Sequence, residues 1–261
     1  MNLKKIGALT TLLILTNSCV SIPVKPETNE VQEAMKSTVK IRANVTSLRR
    51  SIPAKEGEEP QQVTEKWVGS GIVTDVNGKR NESLILTANH VATAEQAQLR
   101  LEDDGLYVYI LKDIKLTVET LSGEMCDAKL VAGDEENDIA FIAAKCIAGN
   151  PAQIADKMPQ VGKIVIISGA PMGYHPNNIF VVVEGFYLGR TDGAEKDVFS
   201  VPVAQGMSGS GVLCDGKIVA VVSQKIEDYE NLTIAINLDK IKALYAVAET
   251  LWFAKVNLRL E

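Results

Sequence analysis

The most restrictive feature of this chain is a succession of short apolar runs, each closed by a turn signal, with a single helical stripe near the end. "TVKIRANV", "YVYIL", "IKLTVETL", "CDAKLVAG", "DIAFIAAK", "KIVIISGA", "IFVVVEGFYLG", "DVFSVPV", "GVLCDG" and "KIVAVVSQ" are rich in β-branched and aromatic residues and too short for helices. Inside "WVGSGIVTDVNGKRNESLILTA", the "NGK" turn between two apolar runs predicts a hairpin. So many strands at close spacing predict an all-β barrel or sandwich. The charged, proline-bearing stretch 49–62 reads as a surface loop. Only from Asn237 does the period lengthen. Leu238, Ile241, Leu244, Tyr245, Ala248, Leu251 and Trp252 then form one stripe of a helix that packs on the body, with Asn237 or Asp239 as its N-cap.

The N-terminal segment does not belong to this pattern. Lys4 and Lys5 precede an apolar stretch, Ile6 to Leu15, that has the build of a secretory signal and is short for a permanent membrane span. It ends in "LTNSC", which resembles the lipobox of bacterial lipoproteins, with Cys19 as the lipidated residue. The reading is a signal peptide over 1–19, a tether over 20–34 and export to the periplasm or an outer-membrane anchor. Ordinary cleavage between Asn17 and Ser21, with Cys19 incidental, is the alternative. An exported chain can hold disulfides, and Cys126 and Cys146 lie on two runs that a hairpin would set opposite each other. Cys214 is then a free thiol on a half-buried strand, and no spacing suits a zinc site, so no metal or other cofactor is expected. A net charge of −6 and no long basic run give no footprint for nucleic acid.

Chemistry enters through two histidines and one glycine-rich turn. His90, in "LILTANHVAT", follows an apolar strand, and a lone histidine there is more often structural than catalytic. Asp138, which opens "DIAFI", is by itself an ordinary turn or cap residue. With Ser208 in "GMSGSG" the three gain a joint meaning. A serine hydroxyl needs a base to take its proton, and the base needs a carboxylate to fix its tautomer. Gly206, lacking a side chain, can turn its amide toward a substrate and, with the Ser208 amide, bind a developing oxyanion. His175, in "GYHPNN", reads as an exposed loop residue.

These pieces, with "GSGIV", "ILTANHV", "NDIAFI", "GAPMG" and "GMSGSGV" in that order, resemble the trypsin-like (chymotrypsin-fold) serine peptidases, and within them the HtrA/Deg-like branch, over roughly residues 35–250. The resemblance implies two six-stranded antiparallel β-barrels within 35–261, divided near 145–160, with the active site in the cleft between them and a C-terminal helix. It implies His90 and Asp138 from the first barrel, Ser208 from the second, and a protein or peptide as substrate. Val203, Gln205 and Ser223 would line the substrate cleft. A trimer is the branch's frequent assembly.

Departures are Met207 where a polar residue is common, Ser210 where a glycine is usual and Gly211 where proline often stands. No acidic residue stands in "SVPVAQG", so small or medium apolar side chains are expected on the acyl side of the cut. Regulation by a PDZ domain and activation by a cleaved "IVGG" terminus are not expected. The order His, Asp, Ser excludes an α/β-hydrolase, whose histidine follows its nucleophile. Two other readings stay open. A silent trypsin-fold module would bind a peptide or an envelope partner, and a structural envelope lipoprotein would use its glycines only for turns.

Overall fold

The computed structural model describes residues 28–54, 57–94, 96–173, 180–191, 196–226 and 229–254. Alternation along β1 (Thr38–Ile52) shows why these runs become strands. Val39, Ile41, Ala43 and Val45 are buried on one face, while Arg42 points to solvent on the other. β1 pairs antiparallel with β2 (Gln61–Asn77), which turns into β3 (Glu82–Ala88). β5 (Gly105–Glu119), β6 (Met125–Asp134) and β7 (Ile139–Ala144) follow, and the pairing of β1 with β5 closes a six-stranded barrel. β4 (Ala97–Glu102) is added to the outer edge of β5. The second barrel is made of β8 (Ile164–Gly169), β9 (Val181–Arg190), β10 (Lys196–Ser200), β11 (Gly211–Cys214), β12 (Lys217–Ile226) and β13 (Tyr229–Asn237). Two six-stranded barrels were the expectation, and this is what the chain forms.

Three apolar clusters hold the barrels. Val39, Ile41, Ile85 and Ile142 fill the first, and Val165, Ile167, Phe199 and Val212 fill the second. The third is the seam: Ile72, Leu86 and Phe141 from the first barrel meet Ile166, Val221 and Ile236 from the second. Because β3 is buried on both faces, Leu84 and Leu86 serve the seam while Ile85 serves the barrel interior, and its sequence reads as one continuous apolar run. Each such side chain contributes about 1.5–3 kcal/mol on burial.

Helix α1 (Thr28–Ser37) precedes β1 and sets Ala34 into the seam. Helix α3 (Leu238–Ala254) leaves β13 and lays Ile241, Ala248 and Trp252 across the seam, against β6 and β7. Asn237 is its cap, accepting the Lys240 amide at 3.1 Å, because that residue is the one at the Ncap position. The stripe predicts Leu251 as a packed residue, yet it is 44 % exposed, as a helix lying flat on a curved barrel leaves the rim of its apolar arc in water.

The stretch 49–62 differs more from expectation. β1 runs on to Ile52 and β2 starts at Gln61, since Arg49 to Ile52 pair with Leu106 to Tyr109 of β5. Arg49 lies over the Tyr107 ring at 3.5 Å and bonds Glu102, so its charge is matched inside the sheet. "YVYIL" and "IKLTVETL" are likewise one strand, β5, carried past an irregularity in its pairing at Thr46 and Ser47. Cys126 and Cys146 form a disulfide, continuing the Ala128–Ala144 register of β6 and β7, and Cys214 is free and buried. No helix among the described residues is long and apolar enough to cross a membrane.

Candidate active site

His90 stands on α2 (Asn89–Ala92), a single turn that begins where β3 ends. Asp138 stands immediately before β7 with φ 56°, a left-handed conformation that aspartate tolerates better than most residues. β3 and β7 are paired with Ala88 opposite Ile139, so residues 48 positions apart become neighbours at one sheet end. The Asp138 carbonyl takes the Asn89 amide at 3.0 Å, and its carboxylate takes the His90 amide at 3.0 Å. Backbone therefore locks the two residues together before their side chains meet.

The side chains then add a second contact. His90 Nδ1 lies 2.9 and 3.0 Å from the two Asp138 oxygens. Facing a carboxylate, Nδ1 carries the proton and Nε2 keeps its lone pair. Burial acts to raise the Asp138 pKa, but hydrogen bonds from His90 and Ser223 outweigh it and hold the carboxyl below the ordinary aspartate value. The imidazole is half exposed and the carboxylate lies beneath it, 18 % exposed.

Ser208 comes from the second barrel, in the turn between β10 and β11. Its carbonyl accepts the Ser70 amide of β2 at 2.8 Å, and its Oγ donates to the Ser223 carbonyl at 3.4 Å. Among the described residues Ser208 Oγ forms no hydrogen bond with His90. Ser223, on β12, connects the halves instead: its hydroxyl donates to Asp138 Oδ2 and its carbonyl holds Ser208.

Two glycines in this turn are geometrically required. Gly206 has φ 92°, and a Cβ there would lie 2.6 Å from the Ala170 carbonyl. Gly209 has φ 85°, and its Cβ would lie 2.2 Å from both the Ser70 carbonyl and Thr87 Oγ1. The Met207 amide donates to Ala204 across Gln205 and Gly206, a turn whose positive φ at its third residue is type II. The Gln205 carbonyl takes the Met172 amide, and the Met207 carbonyl takes the Ser210 amide. A peptide's N–H points opposite its carbonyl. The amides of Gly206 and Ser208 are thereby turned away from those contacts, and neither has an acceptor among the described residues.

Met207 itself is buried in the second-barrel core, so the turn is anchored inward by an apolar side chain. Val203 packs on the same core, and the exposed Gln205 follows it toward the turn. Glu124 lies beside Cys126 and Cys146, but a disulfide offers no thiolate to a metal. Cys19 and His175 lie outside the described residues. Sequence reasoning missed Ser70, the Met172 amide and the hydroxyl of Ser223. A serine between two glycines on an apolar strand, in "GSGIV", was the one visible trace of the first.

Residues 69–221 match the family model described as a trypsin-like peptidase domain, more than half of the chain. The chain belongs to the trypsin-like peptidase family. Among solved structures this peptidase is similar to the serine endoprotease from Yersinia pestis, at 18 % identity and a TM-score of 0.58, over 86 % of this chain and 67 % of that one. That likeness is one of fold. A search of curated proteins found no match to the peptidase.

Proposed function

We propose that this peptidase is an endopeptidase of the bacterial cell envelope that cuts proteins or peptides through an acyl-enzyme, with Ser208 as nucleophile, His90 as general base and acid, and Asp138 as its orienting carboxylate. The observation that carries the reading is the His90–Asp138 pair, joined by backbone and side-chain bonds, beside a turn whose Gly206 and Ser208 amides have no acceptor among the described residues. Ser208 Oγ attacks the substrate carbonyl while His90 Nε2 takes its proton. The carbonyl oxygen becomes an oxyanion held by the amides of Gly206 and Ser208. The C–N bond then breaks, the leaving amine takes the proton from His90, and water attacks the acyl-Ser208 ester with His90 again as base. A preorganised amide donor of this kind is worth about 3 kcal/mol in the transition state.

The envelope location rests on the signal-like N-terminus and on the Cys126–Cys146 disulfide, a bond that persists in oxidising compartments. A lipid anchor at Cys19 and a preference for small or medium apolar side chains complete the proposal. The silent module is favoured by one observation, the Ser208 hydroxyl bonded to Ser223 rather than to His90. Both readings meet in one experiment. Residues 20–261 are treated with a fluorophosphonate probe and the adduct is mapped by mass. An adduct on Ser208 that is lost in His90→Ala supports the endopeptidase, and no adduct on folded protein supports the silent module.

A further inference from the structure

Resting on the serine-peptidase reading, we infer that Ser70 is a positioning residue of the oxyanion site, the brace by which the first barrel sets the nucleophile turn of the second. Ser70 is fully buried on β2, on a strand whose other residues there are apolar or glycine, and a buried hydroxyl at such a place needs a reason. Every polar group it has is used. Its Oγ donates to the Gly206 carbonyl at 2.8 Å and accepts the Ala170 amide at 3.0 Å. Its own amide donates to the Ser208 carbonyl at 2.8 Å, and its carbonyl takes Thr87 Oγ1 at 2.7 Å.

The partners determine what the brace does. Gln205, Gly206, Met207 and Ser208 are successive residues, and each carbonyl is held: by the Met172 amide, by Ser70 Oγ, by the Ser210 amide and by the Ser70 amide. With four carbonyls fixed in order, the plane of each intervening peptide is fixed as well. The amides of Gly206 and Ser208 are then held opposite the Gln205 and Met207 carbonyls, which are already bonded. One oxygen, Ser70 Oγ, also ties this turn to Ala170 at the start of the 3-10 turn Pro171–Gly173, which supplies the Met172 amide. Loss of the hydroxyl strips a partner from Gly206 and from Ala170 together. The 206–207 peptide loses its carbonyl partner, and the turn whose Met172 amide holds the Gln205 carbonyl loses its tie at Ala170, so the 205–206 peptide can rotate and its amide leaves the oxyanion position.

The test uses residues 20–261 and a fluorophosphonate probe, separating the maximal inactivation rate from the probe concentration that gives half of it. For Ser70→Ala the brace requires a maximal rate lower by roughly 10- to 100-fold, the usual consequence of a misplaced donor, with the half-saturating concentration unchanged. The variant Val45→Ala, in the first-barrel core away from the cleft, supplies a destabilised control whose rate stays at wild-type level below its melting temperature. Should Ser70→Ala not fold, Ser70→Cys keeps a weaker donor of similar shape and must give an intermediate rate. A wild-type rate in a folded Ser70→Ala or Ser70→Cys overturns the brace alone, as does a loss that Val45→Ala reproduces. A folded wild type that takes no label overturns the peptidase reading, and the brace with it.

Discussion

Ser208 and Ser210 stand two residues apart and meet opposite environments. Ser208 is partly exposed and its Oγ donates to Ser223, whereas Ser210 is fully buried and its Oγ has no hydrogen-bond partner among the described residues. An orphaned hydroxyl contributes nothing that alanine would lose. Ser208→Ala is therefore expected to abolish turnover at unchanged melting temperature, and Ser210→Ala to keep most activity with equal or higher stability, measured by probe labelling and thermal melts. Asp138 gives a second prediction. Its pKa is lowered on folding, so the stability it contributes is present above the ordinary aspartate value of 3.8 and is lost as pH falls through the depressed folded value. Urea midpoints of the wild type should fall on acidification through that window, and Asp138→Asn should lose this part of the slope. Sequence alone pointed to Ser208, His90 and Asp138 as a set because serine chemistry needs a base and an orienting acid. It did not point to Ser70 or to the hydroxyl of Ser223, whose partners are supplied by strands and turns distant in sequence.

At the level of elements, the short turn Ala170–Gly173 is held from the first barrel. Lys40 of β1 is buried at 3 % exposure, and its ammonium donates to the Gly173 carbonyl at 2.6 Å beside Glu119 at 3.5 Å. Glu119 keeps Arg42 at 2.6 Å, so a neutral residue at position 40 leaves mainly the Gly173 carbonyl unpaired. Lys40→Met should cost about 1–3 kcal/mol in urea unfolding and slow probe labelling at Ser208, since Met172 of the same turn holds Gln205. A stability loss without slower labelling would confine Lys40 to scaffolding. The element boundaries that sequence misplaced share a cause. Arg49 and Arg50 look like loop residues, but pairing with β5 makes both part of a sheet, and Arg49 stacks on Tyr107 as well.

For the whole molecule, the seam decides how the two barrels behave. Phe141 is fully buried there and its ring lies 5.7 Å from that of Tyr245 on α3. Phe141→Ala should cost about 3–5 kcal/mol. Because both barrels and α3 share this cluster, the loss should appear as a single earlier transition by fluorescence and circular dichroism alike. Two separated transitions would mean that the barrels are stable independently.

Residue type and period carried the all-β class, the terminal helix and the disulfide pair, and side-chain chemistry singled out His90, Asp138 and Ser208 as the candidate set, because alternation, turn chemistry and nucleophile activation are local or depend on side-chain chemistry alone. The closure of β1 on β5, the addition of β4, the role of Arg49 and the grip of Ser70 on the nucleophile turn came only with the tertiary structure. Apart from the local β4–β5 hairpin, each depends on which groups face one another across 50 or more residues, as Ser70 and Gly206 do at a separation of 136, and a carbonyl's partner leaves no mark on the residue that carries it.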